Sequence, residues 1–330
     1  MLALPGLIAA AASPLAASPA LAQAAAGSTA PDAWPTRPVR LLVGFPGGSS
    51  PDLTARLIAE PLAQALGQPV YVENKPGASG NIATDAVAKA TDGHTLGLMI
   101  NGNMTIARLL NPHTPYDPLK DLAPISLIGS APLVLTATHG VAFRDIADFF
   151  VAARQAGDRW SYGSPGIGTV SHLGMELLAA KSGIQPVHVP YAGNPQVVNA
   201  LITGELQLAL VPPGLALPQA QAGKVRLVGI TSKGRSAVAP GVPSLAEGGI
   251  PDYQVEVWNA VAGPAAMPAA RAQRLSRLVN DILRRPEIRE KLLAQGWQTI
   301  AGSPEALRLR MQADTAQMGE VIHSRHIHVD

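Results

Sequence analysis

Two glycine-rich turns carry the residue types with which this 330-residue chain could bind an anion. The first lies at 45–52, where Gly47 and Gly48 follow an apolar run that predicts a buried strand. Ser50 then predicts the N-cap of a helix and Pro51 its first helical position. Glycine lets backbone amides approach a ligand closely, and a helix N-terminus presents unpaired N–H groups and a partial positive charge. This order of strand, glycine turn and helix predicts an anion-binding loop.

The second glycine turn, at 164–169, has the same plan, with Gly166 and Gly168 ahead of a predicted helix whose opening turn contains His172. If both turns face one cleft, two helix N-termini converge on one small anion. Each contributes about 0.3–1 kcal/mol when exposed and up to about 2 kcal/mol when partly buried. Micromolar binding needs about 8 kcal/mol, so hydrogen bonds and closure of the cleft must supply most of the affinity. Packing is the alternative role for turns of this kind.

Other chemistries fit these residues less well. The segment from Gly166 to Ser171 nearly matches the dinucleotide fingerprint but lacks its third glycine. The segment between Glu176 and Glu205 contains no acidic residue, so the acid that would bind a ribose is missing. His172 lies near several hydroxyls and leaves a hydrolase open as an alternative, but the chain has no G-x-S-x-G motif.

Two further sets of polar residues leave more than one interpretation open. Asp52 is either a partner of the helix dipole or a group that faces a ligand amine or hydroxyl. His323, His326 and His328 lie in the C-terminal tail, where adventitious metal binding is favoured over a true site. We therefore predict no metal site.

Composition excludes several classes of protein. The chain is 47% hydrophobic and 15% charged, with a formal net charge of +2 and no basic cluster interleaved with aromatics, which argues against a nucleic-acid partner. It has no cysteine, which excludes disulfides, thiolate catalysis and a lipid-modified N-terminal cysteine.

An apolar, alanine-rich segment precedes the first charged residue, Asp32, and ends in a small-residue cleavage pattern at Ala20 to Ala22. It predicts a signal peptide at 1–22 and a flexible arm at 23–35, although no Lys or Arg lies near Met1. A disordered tail is the alternative. The expected product is a soluble periplasmic protein.

Strand and helix patterns alternate from residue 39 onward, as in a largely parallel α/β sheet. Extended apolar segments at 125–137 and 253–263 predict two crossings between lobes, and the segment between residues 112 and 124 is predicted to be irregular. The predicted helix at 52–66 should kink or split at Pro61. The expectation is two α/β lobes joined by a two-strand hinge, with a ligand cleft between them. The boundaries are 36–128 for the first part of lobe 1, 129–256 for lobe 2, and 257–330 for the return to lobe 1.

Short motifs spread over 34–322 carry a resemblance to a known family. They occur in order as Trp34-Pro35-Thr36-Arg37-Pro38-Val39-Arg40, Phe45-Pro46-x-Gly48 with Asp52, Val72-Glu73-Asn74-Lys75-Pro76-Gly77-Ala78, Asp92-Gly93-His94, Tyr116-Asp117-Pro118, Gly163-Ser164-Pro165-Gly166 with His172, His188-Val189-Pro190-Tyr191, and Trp258. In these motifs the chain resembles Bug-type extracytoplasmic solute receptors, the binding components of tripartite tricarboxylate transporters.

The resemblance implies a type II periplasmic binding protein fold and no enzymatic activity or cofactor. It also implies a small carboxylate ligand, held by backbone amides and ordered waters of the two glycine turns rather than by an arginine. The expected partners are the membrane components of the transporter, and the receptor is expected to be a monomer. A ligand sensor that signals through a membrane partner, and a hydrolase that uses His172, remain the alternatives.

The predicted ligand-binding residues come from both turns and from the strand ends beside them. They are Phe45, Pro46, Gly47, Gly48, Ser49, Asp52, Asn101, Ser164, Gly166, Gly168, Thr169, His172, Tyr191 and Ala192.

The chain departs from the family pattern at several of its positions. Ser49 stands where a second glycine is usual, Pro51 where a threonine is usual, and Asn259 where a glycine follows Trp258. Acidic residues expected in the second lobe are absent at Asn199 and at two later positions. The missing acids argue against an amine-bearing ligand and favour a plain mono- or dicarboxylate, aromatic ones included.

Overall fold

The computed structural model describes Leu2 and residues 34–324 of the chain. The chain divides into two compact units, Met1–Trp34 and Pro35–Asp330, and every helix and strand given below belongs to the second. Apart from Leu2, Trp34 and Pro35, the predicted signal peptide and arm lie outside the described residues. Within the described part of the chain, no helix combines the length and the hydrophobicity that a membrane span requires.

The described strands form one sheet of six strands and one of five. In chain order they are β1 (Val39–Val43), β2 (Val70–Asn74), β3 (Thr95–Ile100), β4 (Leu122–Pro132), β5 (Val134–Thr138), β6 (Ser161–Ser164), β7 (Val187–Pro190), β8 (Leu208–Val211), β9 (Val225–Ile230), β10 (Glu256–Pro264) and β11 (Gln298–Thr299). The six-stranded sheet has the order β11-β4-β10-β3-β1-β2, and the five-stranded sheet has the order β7-β6-β8-β5-β9.

Helices connect the strands of both sheets. The described α-helices are α1 (Ser50–Leu66), α2 (Asn81–Ala88), α3 (Ala107–Leu110), α4 (Pro118–Asp121), α5 (Ile146–Ala156), α6 (Val170–Ser182), α7 (Asn194–Thr203), α8 (Pro213–Gln221), α9 (Ala269–Leu283), α10 (Pro286–Ala294) and α11 (Pro304–Ser324). A π-helical turn, Gly102–Ile106, precedes α3, and short 3₁₀ turns lie at Ala78–Gly80 and Gly157–Arg159. We call the six-stranded sheet with α1–α4 and α9–α11 lobe 1, and the five-stranded sheet with α5–α8 lobe 2.

Lobe 1 has a mixed sheet with a parallel edge. Strand β1 pairs in parallel with β2 and β3, whereas β10 is antiparallel to both β3 and β4. Every residue of Thr95–Ile100 in β3 is buried. Burial on both faces of a strand requires helices on both sides of the sheet, and it explains why this strand reads as a continuous apolar run.

In lobe 2 the side chains of a strand alternate between the two buried faces of the sheet. Leu208 and Leu210 of β8 pack in one apolar cluster, while Ala209 and Val211 pack in another on the opposite face. Successive side chains of a strand point to opposite faces, so each face of this sheet has its own core. Helices cover both faces and hold the strand ends in fixed positions.

Two chain segments cross between the lobes, and one threonine ties them together. The first crossing passes through Leu133, between β4 and β5, and the second connects β9 to β10 through 231–255. The backbone N–H of Thr231 donates to the Leu133 oxygen at 2.8 Å, and the Leu133 N–H donates to Thr231 Oγ1 at 2.8 Å. The hydroxyl of Thr231 in turn donates to the Val255 oxygen at 2.6 Å. Thr231 is fully buried and links both crossings of the hinge.

Several expectations about individual elements were wrong. Helix α1 begins at Ser50, so Ser49 is its N-cap and Pro51 its second residue. The helix also does not split at Pro61 but continues through it as one element. Pro61 has no N–H to donate to the backbone oxygen of Leu57. Both residues line an open surface groove, where water can donate to that oxygen instead. Within the segment predicted to be irregular, Pro118–Asp121 is helical and β4 begins.

Replacement of Thr231 by valine tests the link between the crossings. The change keeps the side-chain shape but leaves the Leu133 N–H and the Val255 oxygen unpaired in a buried site. Each unpaired buried group costs about 1–3 kcal/mol. Urea unfolding should show this loss for Thr231→Val and almost none for Thr203→Val, a threonine on the exposed surface. Equal unfolding free energies for the two variants would contradict the assignment.

Candidate functional site

The first glycine turn leaves the start of α1 without a side-chain cap. Gly48 has a positive φ of 79°, and the Ser49 N–H donates to the Pro46 oxygen at 3.2 Å. Ser49 has the extended backbone of an N-cap, but its hydroxyl makes no capping hydrogen bond. Since the first N–H groups of an α-helix have no acceptor within the helix, the N-terminus of α1 can receive an acceptor from outside.

Asp52 holds this turn together rather than facing the cleft. Its carboxylate accepts the Gly48 N–H at 2.8 Å and the Asn74 amide at 2.8 Å. It also pairs with Arg56 at 3.0 Å. Burial alone would raise the pKa of Asp52, but the hydrogen bonds from Arg56, Gly48 and Asn74 outweigh burial and keep the pKa below its ordinary value. These contacts support the interpretation as a partner of the turn and the helix, and Asp52 lines neither of the cavities described below.

The second glycine turn folds around one carbonyl oxygen. The hydroxyls of Ser164 and Thr169 donate to the Gly166 oxygen at 3.0 and 2.7 Å. Gly166 and Gly168 have φ angles of 133° and 77°, which side chains with a Cβ rarely adopt. Thr169 is the N-cap of α6 and makes no side-chain capping bond, so the N-terminus of α6 is open in the same way as that of α1.

His172 supports this turn from behind. Its Nδ1 accepts the Gly168 N–H at 3.1 Å, and its ring stacks on His188 with centroids 4.1 Å apart. Burial lowers the pKa of His172 to about 4, so the ring is neutral and can accept this hydrogen bond. In the described residues no carboxylate hydrogen-bonds to the ring, as the orienting acid of a hydrolase would. The contacts of His172 are those of a residue that positions the turn.

Two cavities adjoin between the lobes. The inner cavity, of about 30 Å³, is lined by residues at the starts of three helices and by a C-terminal tryptophan, among them Ser49, Ser50, Thr169, Ser171, Asn194 and Trp297. The outer cavity, of about 450 Å³, is lined by the second glycine turn and by facing loops, among them Ser79, Gly102, Gly166, Gly168, Tyr191 and Ala192. Pro165 and Thr169 line both cavities.

Three helix N-termini lie at the inner cavity, whose wall has no charged side chain among the described residues. Helix α1 of lobe 1 and helices α6 and α7 of lobe 2 each place at least one first-turn residue in its wall. Among the described residues, no Asp, Glu, Lys, Arg or His lines either cavity. The partial positive charges of the helix ends therefore determine which ligand charge is favoured, and they favour an anion.

The lobes touch across the cleft at glycines. A Cβ atom on Gly166 would lie 2.4 Å from the Ser79 hydroxyl of lobe 1, and one on Gly168 would lie 2.4 Å from Leu110 Cδ1. A Cβ atom on Gly193 would lie 3.0 Å from Pro46 Cδ. These distances are shorter than ordinary contacts, so the closeness of the two lobes depends on the absence of side chains at these positions.

The loop that meets Gly166 is strained. Gly77, Ala78, Ser79 and Gly80 all have positive φ, with 47° at Ala78 and 56° at Ser79. Asn103, in the π-helical turn, holds the loop by donating from Nδ2 to the Ser79 oxygen at 2.9 Å. Left-handed non-glycine residues and π-helical turns both occur preferentially at functional sites.

Four buried polar atoms in the wall of the inner cavity have no hydrogen-bond partner in the structure. They are Ser49 Oγ, Asn194 Oδ1, Asn259 Oδ1 and Trp297 Nε1. All four residues are at most 7% exposed. Because an unpaired buried polar group is costly, such a cluster in one cavity indicates a place for a polar ligand or for ordered water.

The predicted site residues fall into four groups, with Thr169 in two of them. Phe45, Ser49 and Thr169 line the inner cavity, and Gly166, Gly168, Thr169, Tyr191 and Ala192 line the outer one. Pro46, Gly47, Gly48, Asp52, Ser164 and His172 line neither. Asn101 lines a separate cavity of about 230 Å³ near the hinge, where its amide donates to the Glu256 oxygen at 3.0 Å.

Sequence patterns did not identify several residues of this site. Asn194 stands before a proline at the start of α7, a local signal for a helix start that could have been used. Ser79 lies in a short 3₁₀ turn and Asn103 in the π-helical turn, segments too short to show a recognisable periodicity in the sequence. Trp297 follows α10, far from either glycine turn in the chain, and no local pattern indicates that it reaches the cleft. No cluster of potential metal ligands occurs in the described residues.

Comparison with known proteins gives a consistent family assignment. Residues 54–327 match the model of the Tripartite tricarboxylate transporter family receptor, TctC. Among curated proteins, the chain is 33% identical to Protein BugT of Bordetella pertussis over 290 residues, which is 86% of this chain and 89% of that protein.

Similar solved structures support both the fold described above and the family assignment. One similar structure is Rpa4515 of R. palustris with adipate, with a TM-score of 0.86, 31% identity, and coverage of 89% of this chain and 98% of that chain. Another is MatC from Rhodopseudomonas palustris with bound malate, with a TM-score of 0.83, 30% identity, and coverage of 88% and 100%. Both similarities extend over both lobes.

The buried imidazoles predict a loss of stability in mild acid. Burial lowers the pKa of His172 and of His188 to about 4, and the charge of His172 adds to the shift of His188. Between about pH 6.5 and pH 4 the unfolded chain binds protons that the folded chain does not. The free energy of unfolding therefore decreases as the pH falls through this window, and the decrease is complete below about pH 4. For His172 alone the loss is about 3 kcal/mol, since one pKa unit is about 1.4 kcal/mol.

Urea unfolding of the wild type and of His172→Gln at pH 7, 5.5 and 4.5 measures this effect. The difference in unfolding free energy between the two proteins should shrink as the pH falls, because the glutamine does not titrate. A difference that stays constant over the window would contradict the depressed pKa.

Proposed function

The chain belongs to the family of tripartite tricarboxylate transporter receptors, and on this premise we propose that it is a periplasmic receptor for a small carboxylate. The two lobes close on the ligand, and the closed receptor delivers it to the membrane components of a tripartite transporter. Residues 1–22 act as the signal peptide for export. The receptor works as a monomer.

One observation carries this proposal. The N-termini of α1, α6 and α7 come from both lobes and meet at one cavity whose described wall has no charged side chain. A carboxylate placed where the two cavities adjoin, near Thr169, accepts hydrogen bonds from first-turn amides and lies at the positive ends of the helices. Other small oxyanions could accept the same hydrogen bonds, and the carboxylate is favoured among them by the family and by its relatives solved with adipate and malate.

The ligand is a carboxylate without an amino group. An ammonium group needs a carboxylate partner in a site that excludes water, and none lines the described cavities. The solved relatives bind adipate and malate, which are small dicarboxylates of this kind. The apolar part of the outer wall, including Leu110 and Tyr191, suits the hydrocarbon part of such a ligand.

Closure supplies the affinity that helix dipoles alone do not. Each helix end contributes at most about 2 kcal/mol, whereas a micromolar dissociation constant requires about 8 kcal/mol. When the lobes approach, water leaves the cavity and hydrogen bonds to the ligand form in a medium of low dielectric constant. The hinge consists of the two crossings joined by Thr231, one at Leu133 and the other at 231–255.

The ligand-contacting residues in this proposal come from both cavities. Those retained from the sequence prediction are Phe45, Ser49, Gly166, Gly168, Thr169, Tyr191 and Ala192, whereas Asp52 and His172 position the turns that present the backbone amides. This division of roles explains how the site binds an anion without an arginine.

A thermal-shift screen tests the proposed ligand class. Ligand-free protein is heated with adipate, malate, succinate and benzoate, and with aspartate as the amino-bearing match of succinate. At a hundredfold excess over the dissociation constant, a bound ligand adds about 2.7 kcal/mol to stability and raises the melting temperature by several degrees. We expect at least one plain carboxylate to do so and aspartate to have little effect. No shift with any carboxylate, or the largest shift with aspartate, would overturn the proposal.

The variant Gly166→Ala tests closure. The added methyl meets the Ser79 hydroxyl only when the lobes touch, so the affinity for the carboxylate found in the screen should fall at least tenfold. The positive φ of Gly166 also makes alanine locally strained, which lowers stability in any state of the lobes. Calorimetry on Gly166→Ala and on the double variant with Ser79→Gly separates the two effects. With Ser79→Gly alone as the reference, because glycine relieves the positive φ of that residue, the double variant should regain most of the affinity and keep the stability loss of Gly166→Ala. Failure to regain affinity would argue against a closure contact at this position.

A further inference from the structure

We propose that Asn259 and Trp297 form a subsite that selects a hydroxyl group on the carboxylate ligand. The inference rests on the proposed function and narrows its ligand class to small hydroxycarboxylates. It starts from the unpaired polar atoms in the wall of the inner cavity. Binding of a carboxylate by the backbone amides of the glycine turns gives these atoms no role.

A chain of hydrogen bonds fixes the role of Asn259. The hydroxyl of Thr54 donates to the Ser50 oxygen at 3.1 Å, as side chains at this position of a helix commonly do. Its oxygen therefore accepts, and it accepts from Asn259 Nδ2 at 3.1 Å. The amide nitrogen of Asn259 is thus engaged, and its Oδ1 is left as an unpaired acceptor in a residue that is fully buried.

Trp297 supplies the complementary donor. Its Nε1 can only donate and has no hydrogen-bond partner among the described residues, and the residue is 2% exposed. The turn at Gly296, with a φ of 86°, brings Trp297 into the cavity wall directly after α10. Gly296 and Gln295 in turn pack against Pro213 and Gly214 at the start of α8 in lobe 2. The position of Trp297 is therefore fixed by contacts from both lobes.

A single ligand group that pairs with both atoms must both donate and accept a hydrogen bond. A carboxylate only accepts and would leave Asn259 Oδ1 unpaired, and an ammonium only donates and would leave Trp297 Nε1 unpaired. A hydroxyl satisfies both, and the hydroxyl of Ser49 in the same wall can adapt to either role. The inner cavity, at about 30 Å³, accommodates a hydroxyl, while the outer cavity has room for the remainder of the ligand.

Selectivity follows from the cost of the unpaired groups. A deoxy ligand leaves the buried oxygen of Asn259 and the N–H of Trp297 without partners, unless a water molecule remains in their place. Sites that hydrogen-bond a ligand hydroxyl discriminate strongly against the analogue that lacks it. The expected preference is therefore at least tenfold, and it belongs to the pair of residues rather than to the glycine turns.

Calorimetry with matched ligand pairs tests the subsite. The pairs are malate with succinate, lactate with propionate, and 3-hydroxybutyrate with butyrate. The wild type should bind one hydroxylated member at least tenfold more tightly than its deoxy partner. In Trp297→Phe and in Asn259→Leu the ratio of the two dissociation constants, deoxy over hydroxylated, should fall to about three or less. Each variant loses one hydrogen-bond partner of the hydroxyl. Trp160→Phe, on lobe 2 and outside both cavities, is the control and should keep the ratio.

The outcomes separate this inference from the proposed function. Equal or tighter binding of every deoxy member by the wild type, or an unchanged ratio in both variants, overturns the subsite while the carboxylate receptor stands. No binding of any of the carboxylates contradicts both. Thermal melts of each variant without ligand establish folding, and if one variant does not fold, the other and Ser49→Ala still test the ratio. Tryptophan fluorescence gives a second readout, since the ligand-induced change in emission should be lost in Trp297→Phe and retained in Trp160→Phe.

Discussion

An α-helix leaves the N–H groups of its first turn without acceptors, and the cleft of this protein depends on where the fold places three such turns. Helices α1, α6 and α7 each follow a strand of a parallel pair, so each begins at the carboxyl end of its strand. In α/β folds this edge of the sheet is where ligands bind. Two sheets that face each other along these edges bring the helix starts together. Attraction for an anion is thus a consequence of strand direction and needs no charged side chain.

The field of a helix terminus falls off within its first turn, and this sets how close the lobes must come. Side chains at the contact would hold the helix ends apart. Glycines at 166, 168 and 193 remove that obstacle, and their close neighbours across the cleft show how little space remains. The strained loop that contains Ala78 and Ser79 lies at the same contact. Such strain persists only where surrounding contacts hold it, here through Asn103.

The sequence predicted the parts of this site that are local in the chain. Alternating strand and helix patterns, two extended crossings and two glycine turns were enough for the two-lobe fold, and the structural comparisons confirm it. The sequence could not show which way a side chain points. Asp52 points into the turn because it contacts Gly48, Asn74 and Arg56 there. Trp297 was missed for another reason. It reaches the cavity only through the packing of α8 on the residues after α10, a contact between segments about 80 residues apart.

A site built from neutral groups separates two tasks that a charged site combines. An arginine would attract every carboxylate and would cost desolvation free energy in each closure. In the proposed site the helix ends select the sign of the ligand charge, and unpaired neutral atoms such as Asn259 Oδ1 select the rest of the ligand by penalising a mismatch. Release follows from the same arrangement. In the proposed mechanism, opening of the hinge separates the positive helix ends, which belong to different lobes, and so weakens the binding of the anion without any residue having to change its charge.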